Sequence, residues 1–449
     1  MVNNFKSKIG LITLDLLKNF RVRYYLKIYL ESIKWSKDEI QHYQIMKLRE
    51  LLRYSYHNVP FYKKRFDDSN FNYERFRYFD QLKNIPPLTR NDLQTNEKNL
   101  LSSEKSKFNI YRSMSSGSTA KPVKFYHDQF GKSSNKAAVL VSKILGGYKI
   151  GDPWINIWGF PTTGINDWEK FSSKISKFLF NEARFPAYQL NKKENFEKLF
   201  SLFQKKMPKF VYGYTNAIYL FSRFLEENSL QLDSEINGVF CTAENLHDFQ
   251  RATIEKHLGK VYDHYGCREI NGIAAQTIYD DNYAIIDPHV YLEFNSMKHN
   301  DNNLYTVLVT HLHNKVFPLI RYENGDLAKP LPTPDYNKKL NFSKIYSIEG
   351  RVSDIVKLPQ GGHLVVPSFL GSTILKDIEG VKQYQVVQTS PYELKVNLIT
   401  DKTFNRSNIR IINESISNYL QDAINYKLVF NEPIIKSQNG KFKLLIKKI

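Results

Sequence analysis

Two cysteines in 449 residues cannot build a disulfide framework. Cys241 and Cys267 also lack the short spacing of a metal site, so they read as reduced thiols. No apolar run approaches the roughly 20 residues that a membrane span requires. The apolar stretch near Gly10-Leu-Ile-Thr-Leu-Asp-Leu-Leu is short and has no small-residue cleavage site, which argues against a signal peptide. No Gly-x-x-x-x-Gly-Lys-Ser/Thr loop occurs, which excludes a Walker-type ATPase. Internal repeats and low-complexity linkers are also missing. These absences lead to an expectation of a cytoplasmic protein.

What is plentiful is positive charge and aromatic surface. Lys and Arg number 64 against 45 Asp and Glu, a formal charge of +19. That balance suits polyanions such as nucleotides, nucleic acid or an anionic membrane face. The lysines are scattered, so a general lysine bias gives the same total. A chain that is 42% hydrophobic and 14% aromatic is globular and long enough for two or three domains. Residues 17–34 mix Leu17, Phe20, Tyr24, Leu26, Ile28, Tyr29 and Ile33 with Lys18, Arg21, Arg23 and Lys27. This is a basic amphipathic helix, with two uses: packing on its own domain, or peripheral contact with the inner face of a membrane.

The apolar spacing predicts helices within 37–67, ending near Asn58-Val-Pro-Phe-Tyr, and over 194–206 and 215–228. Between them lie short apolar segments: Trp154-Ile-Asn-Ile-Trp, Phe210-Val-Tyr-Gly-Tyr, Gly238-Val-Phe-Cys-Thr and Val261-Tyr-Asp-His-Tyr. Each runs into a Gly, Ser or Thr turn. Strand, polar turn, helix, strand describes an α/β sheet with its chemistry at the carboxyl ends of the strands. After residue 285 the pattern changes to strands and hairpins. The last hundred residues mix a strand-like stretch from Lys382 to Ile399, a helix near 413–426 and a final lysine-rich strand. Asp280-Asp281-Asn282 reads as a hairpin turn. His311 and His313 alternate on a strand face, with no third metal ligand apparent.

The densest chemistry is Ser113-Met-Ser-Ser-Gly-Ser-Thr-Ala-Lys-Pro122. Hydroxyls, free backbone N–H groups and a lysine can surround phosphate oxygens. An exposed turn has the same composition. Later segments follow in order: Cys241-Thr-Ala-Glu-Asn, Tyr265-Gly-Cys-Arg-Glu269, Pro318-Leu-Ile-Arg-Tyr-Glu-Asn-Gly-Asp326, Glu349-Gly-Arg-Val-Ser-Asp354, then Gly361-Gly362 and Ser437-Gln-Asn-Gly-Lys441. Each has a plain structural use. Asp326 could close a hairpin, Glu269 could pair with Arg268, Arg351 could cap a helix, and Lys441 could be one more surface lysine of the tail.

Taken in this order, the segments resemble the adenylate-forming superfamily of acyl-CoA ligases, luciferases and adenylation domains. The chain is most similar to the phenylacetate–CoA ligase branch with its CapK-like capsular-polysaccharide members, also at Leu51-Leu52 and Asn58-Val-Pro-Phe-Tyr62. The resemblance implies ATP, Mg²⁺ and, in many members, CoA. It implies that Ser115, Ser116, Gly117, Ser118, Thr119 and Lys121 hold the β- and γ-phosphates. Ala243 and Glu244, with Asn245, would line adenine. Tyr265, followed by Gly266, would stack on it, and Asp326 would accept from the ribose hydroxyls. Glu269 would hold Mg²⁺. Arg351 would reach ribose or phosphate, and Lys441 would be the adenylation lysine. Asp354 stands at the hinge. Ala120 and Arg268 depart from the usual glycine and the usual serine or threonine.

The expected fold is therefore α/β. A large N-terminal domain of layered sheets over 1–352 carries the ATP and acyl sites. A small mobile α+β domain over 353–449 carries Lys441. The expected activity is ATP-dependent, AMP-forming activation of a carboxylic acid. The acyl group would then pass to CoA or to an amine or hydroxyl acceptor, such as a surface-polysaccharide precursor. The acyl pocket is expected from Trp158-Gly-Phe-Pro-Thr162 and Tyr212-Gly-Tyr-Thr215. The rival reading is a basic nucleic-acid or membrane-surface binding protein on a ligase-like fold. The set Glu269, Asp326, Arg351 and Lys441 favours the ligase, because a binding protein has no use for it.

Overall fold

The computed structural model describes residues 10–13, 15–16, 20–114, 123–159, 177–190, 192–296, 304–331, 340–359, 363–366, 369–370, 374–375, 378–420, 423–435 and 443–448. Helix α1 (Val22–Ser32) puts Val22, Tyr25, Leu26 and Tyr29 into the interior. The Tyr29 hydroxyl lies 2.7 Å from Ser134 Oγ, and Arg21 N donates to Ser133 Oγ at 2.8 Å. The apolar side of the basic helix is therefore spent on its own domain. Helix α2 (Lys37–Asn58) starts at a capping box, with Glu39 N donating to Ser36 Oγ at 3.2 Å and Ser36 N to Glu39 Oε2 at 2.7 Å. It stops at Val59. Pro60 cannot donate within α2 but suits the first turn of α3 (Pro60–Asp68). The helix expected to end near Asn58-Val-Pro-Phe-Tyr thus ends at Asn58, and a second one follows it to Asp68. No described helix is long and apolar enough to cross a membrane.

A hairpin of β1 (Tyr111–Met114) and β2 (Lys124–His127) brackets the Ser/Thr/Gly segment. Helix α4 (Gln129–Leu145) follows, capped by Asp128, which accepts from Gly131 N at 2.7 Å. Then come β3 (Trp154–Trp158), β4 (Glu182–Pro186), α5 (Lys193–Lys206), β5 (Phe210–Tyr214), α6 (Thr215–Glu227), β6 (Gly238–Thr242), α7 (Asp248–His257) and β7 (Val261–Tyr265). Strands β3 to β7 are parallel neighbours. Helices α5, α6 and α7 cover one face through Leu199, Phe203, Ile218, Phe221 and Ile254. Helices α1 and α4 cover the other through Leu26, Val141 and Leu145, against Phe210 and Phe240. All four strands read from the sequence are present at the expected positions.

The sheet continues antiparallel through β8 (Ala274–Thr277), β9 (Asp280–Ile285), β10 (Val290–Ser296), β11 (Tyr305–His311), β12 (Tyr322–Pro330) and β13 (Lys344–Arg351). Its eleven strands run in the order β10-β11-β12-β13-β9-β8-β7-β6-β5-β3-β4. The turn expected at Asp280–Asn282 falls earlier. Thr277 pairs with Asp280, so Ile278 and Tyr279 make the turn and Asp280 opens β9, where it pairs with Lys344.

Beyond Arg351 lie the short pair β14 (Ile355–Lys357) and β15 (His363–Val365), then β16 (Val381–Ser390), β17 (Glu393–Thr400), α8 (Arg406–Leu420), β18 (Asn425–Phe430) and β19 (Leu445–Lys447). The last helix begins seven residues before the expected 413. Asn405 Oδ1 accepts from Ser407 N at 2.9 Å and starts it there. Alternating Tyr426, Leu428 and Phe430 make 425–430 a strand and not the end of a helix. This part buries a cluster of its own: Tyr384, Val386, Leu398, Ile412, Ile416 and Leu445. It touches α6 through Tyr219 Oη donating to Lys382 O at 2.7 Å and through the Arg223–Asp401 pair at 3.3 Å.

Candidate functional site

The candidate residues gather where β6, β7 and β12 end or bend. Strand β6 runs directly into Ala243, whose φ is +69°. An alanine in the left-handed region is strained, and such strain is held only where the surroundings fix it. The next residue does the fixing. Glu244 Oε2 accepts from Asn216 N at 2.9 Å, and its carbonyl accepts from Thr215 Oγ1 at 3.2 Å. The carboxylate thus sits on the positive end of α6 and pins the turn. Glu244 shapes the loop through its own side chain. A cleft of about 290 Å³ opens beside the turn between Asn245 and Glu349.

Asp326 does not close a hairpin; it lies inside β12. Leu308 pairs with Glu323 and Thr306 with Leu327, so Asn324, Gly325 and Asp326 bulge out opposite a single residue of β11. Gly325 has φ +81°, which a side chain would resist. Asn324 Oδ1 accepts from Asp326 N at 3.0 Å and holds the bulge. The buried carboxylate is then surrounded by donors. Arg351 Nε is 3.1 Å from Asp326 Oδ1, Tyr265 Oη donates to Oδ2 at 3.0 Å, and Asn324 Nδ2 donates to Oδ2 at 2.8 Å. Register makes the first contact, because Asp326 and Arg351 face each other across β12 and β13. Burial pushes the Asp326 carboxyl above its usual range, against the pull of Arg351 and Tyr265. Burial, then the Asp326 charge, pushes the Tyr265 hydroxyl up as well. Sequence reasoning missed Asn324. The signal was its place two residues before the aspartate, where an Asn side chain reaches forward to the backbone.

Glu269 stands in the loop after β7 and is 5% exposed. Among the described residues its carboxylate has one hydrogen-bond partner, Tyr322 Oη at 3.4 Å, and no ion pair. A buried carboxylate with so little compensation is costly alone and suits a hard cation. Arg268 does not pair with it; its Nη1 donates to the Met114 carbonyl at 2.6 Å, at the start of the Ser/Thr/Gly segment. His127 Nε2 lies 2.8 Å from the Glu269 carbonyl, a contact the sequence did not reveal. The loop folds back at Gly272, which has φ +69°. A Cβ there would stand 2.7 Å from Val139 N. Gly272→Ala is therefore expected to lower stability by about 2 kcal/mol or more and to displace Glu269. Thermal melting and acid-dependent pyrophosphate release check both effects.

Behind this loop His127, His289, His311 and His313 form a buried cluster, with the His289 and His311 rings 4.8 Å apart. Strand β11 ends at His311, so His313 lies beyond it, and the two do not share a strand face as expected. Among the described residues no group of three or more His, Cys, Asp or Glu is arranged to hold a metal. Cys241 and Cys267 are free and buried.

Asp354 Oδ2 accepts from Arg351 N at 3.2 Å, which links the expected hinge to the Asp326 partner. Trp158 and Tyr214, at the carboxyl ends of β3 and β5, pack with Tyr212 in the middle of β5; the Tyr212 and Tyr214 ring centroids lie 5.7 and 4.3 Å from that of Trp158. Ser115, Ser116, Gly117, Ser118, Thr119, Ala120, Lys121, Phe160, Pro161, Thr162, Gly361, Gly362 and Lys441 lie outside the described residues.

Residues 359–448 match the CapK C-terminal domain family. The chain is 24% identical over 440 residues to Protein CapK of Staphylococcus aureus, covering 96% of this chain and 95% of that one. It is 25% identical over 373 residues to the phenylacetate–coenzyme A ligase of Escherichia coli strain K12, covering 76% and 77%. Among solved structures it resembles 2-hydroxyisobutyryl-CoA ligase in the postadenylation state, bound to R3-HIB-AMP. The TM-score is 0.69 at 16% identity, over 90% of this chain and 89% of that one.

Proposed function

We propose that this chain, which belongs to the adenylate-forming superfamily in the branch of CapK and phenylacetate–coenzyme A ligase, is an ATP-dependent, AMP-forming acid ligase. The observation that carries the reading is the Asp326 bulge, with Arg351, Tyr265 and Asn324 turned onto one carboxylate. In the proposed reaction a substrate carboxylate oxygen attacks the α-phosphorus of ATP. A P–O bond forms, the bond to pyrophosphate breaks, and an acyl-adenylate results. The protein's task is to position the reactants and balance negative charge. Asp326 accepts from the ribose hydroxyls, and the guanidinium of Arg351, oriented by Asp326, faces ribose or phosphate. Ser115, Ser116, Gly117, Ser118, Thr119 and Lys121 hold the outer phosphates. Ala243, in the turn set by Glu244, lines the base, and Tyr265 with Gly266 bounds it. Glu269 is the residue that fits Mg²⁺, which would neutralise phosphate charge as pyrophosphate departs.

In the second half an acceptor attacks the acyl carbon, loses its proton and expels AMP. The name of the phenylacetate ligase supports CoA as that acceptor; the alternative is the amine or hydroxyl of a surface-polysaccharide precursor that the sequence resemblance implies. A small domain over 353–449, hinged at Asp354, would deliver Lys441 for the first half and withdraw it for the second. Lys441→Ala is accordingly expected to abolish adenylate formation and to spare transfer from supplied acyl-adenylate. Equal loss of both halves would remove the two-pose cycle.

The reading is tested by pyrophosphate release with ATP and Mg²⁺ over aryl, alkyl, hydroxy and amino acids, with hydroxylamine as trap and CoA omitted. Turnover with one acid class supports it. Failure to bind ATP at all would sink it, and salt-sensitive binding to RNA or liposomes without turnover would favour a binding protein.

A further inference from the structure

The parallel half of the sheet buries a lysine that adenylation does not use. Lys143, on α4, is 6% exposed. Its Nζ stands 3.5 Å from the centroid of the Trp154 ring and 4.1 Å from that of Tyr212. Among the described residues it has no hydrogen bond and no ion pair within 4 Å. The nearby carboxylate is already engaged. Glu182 accepts from Arg184 Nε at 2.7 Å, Arg184 Nη2 at 2.8 Å and Asn156 Nδ2 at 2.8 Å.

Two further buried atoms on the same sheet face lack partners among the described residues: His264 Nε2 and Asn156 Oδ1. Register puts them together. Asn156 pairs with Tyr212 and Tyr212 with Phe240, while His264 pairs with Thr242, two residues further along β6. The His264 and Tyr212 rings are 6.1 Å apart. Burial pulls Lys143 down to about 7, with Glu182 acting upward and Arg184 downward. A buried cation without a counter-ion is expensive, and cation–π contact repays only part of that cost. An incoming anion would repay more and hold the proton on Lys143.

The location says what that anion belongs to. Trp158, at the carboxyl end of β3, stacks on Tyr212, and Tyr212 lies two residues below the end of β5, about 6–7 Å down the strand. The aromatic residues expected to line the acyl pocket therefore lead from the strand ends down to Lys143. We propose that Lys143, with His264 and Asn156 beside it, binds a second anionic group at the far end of the acid being activated. The preferred substrates are then dicarboxylates or similarly dianionic acids, with one carboxylate adenylated and the other on Lys143. This inference rests on the ligase reading.

The test compares matched pairs, hexanoate with adipate and benzoate with terephthalate, by pyrophosphate release with hydroxylamine. Wild type should favour the dianion by about tenfold or more in kcat/KM, and Lys143→Met should reverse that order. Lys143→Arg, which keeps the charge, should retain part of the preference. The melting temperature of Lys143→Met should hold or rise, since an apolar side chain of similar length removes an unpaired buried charge. A fall in melting temperature with unchanged acid preference would make Lys143 a structural cation and overturn the proposal. A wild-type preference for the monoacids would also overturn it while leaving the ligase reading intact. No turnover of any acid, together with no ATP binding, would overturn both.

Discussion

Asp326→Ala is expected to lower kcat/KM for ATP by about 10²–10⁴-fold while the chain stays folded. The size follows from two hydrogen bonds to a charged acceptor, each about 1.5–3 kcal/mol, with about 1.4 kcal/mol per factor of ten. The folded state tolerates the loss for three reasons. The Arg351 side chain is 57% exposed, so water can take the place of its partner. Asn324 Nδ2 still donates to Tyr265 Oη at 2.7 Å. The carboxylate removed is one that burial already disfavours. Asp326→Asn keeps an acceptor in place and should lose less. Arg351→Ala should also impair ATP use, and the double variant should lose less than the product of the singles, because the two side chains are in contact. Steady-state kinetics in ATP, with melting curves as control, measure all four. An unchanged kcat/KM for ATP in Asp326→Ala would place the nucleotide elsewhere.

The second large effect is acid lability. Burial holds His127 and His247 down to about 4 and His264, His289 and His313 down to about 3. It holds His311 well below its ordinary value. In the unfolded chain each would titrate near 6.5. A depressed folded value means stability that is complete above 6.5 and is lost as pH falls toward the folded value. Neighbouring positive charge adds to this, from Lys132 beside His127, Lys47 and Lys315 beside His313, and Lys143 beside His264. Buried carboxyls act in the opposite sense, with Asp128, Glu293 and Asp326 also raised by burial. Burial lifts Asp287 to about 7 and Asp263 to about 6, so these gain native protons as pH falls. At pH 5 each histidine costs about 2 kcal/mol, and the two aspartates together return about 4. The net loss is of the order of a whole domain's stability. Cooperative unfolding between about pH 6 and 4.5 is the expected result, followed by circular dichroism. His311 has neither ring nitrogen hydrogen-bonded among the described residues, so His311→Leu should move the midpoint to lower pH. A wild-type transition only below about pH 4 would assign the acid limb to surface carboxylates instead.

The parallel strands were legible because each is a short apolar run ending at a polar turn, as Gly238–Thr242 running into Ala243 shows. Asp326 was legible as one residue of an ordered motif, but its surroundings were not. A bulge depends on the pairing of two strands, and Asn324 gains its role only once the chain bends at Gly325. The histidine cluster draws on β2, β11 and two loops that are far apart in sequence, so no local pattern could announce it. Helix α8 was misplaced because its apolar spacing runs on into 425–430. The cap at Asn405 and the alternation of Tyr426, Leu428 and Phe430 decide its true limits. Lys143 was hidden inside a helix whose sequence looks ordinary; only the aromatic faces of Trp154 and Tyr212 set it apart.

The central claim is that the Asp326 site joins an acid to AMP. Its most direct measurement is the nucleotide product formed with Mg-ATP, an accepted acid and hydroxylamine, resolved by ion-exchange chromatography. The account predicts AMP and pyrophosphate in equal amounts, one of each per hydroxamate, with both lost in Asp326→Ala. Formation of ADP and phosphate, or hydroxamate yield unaffected by Asp326→Ala, would contradict it.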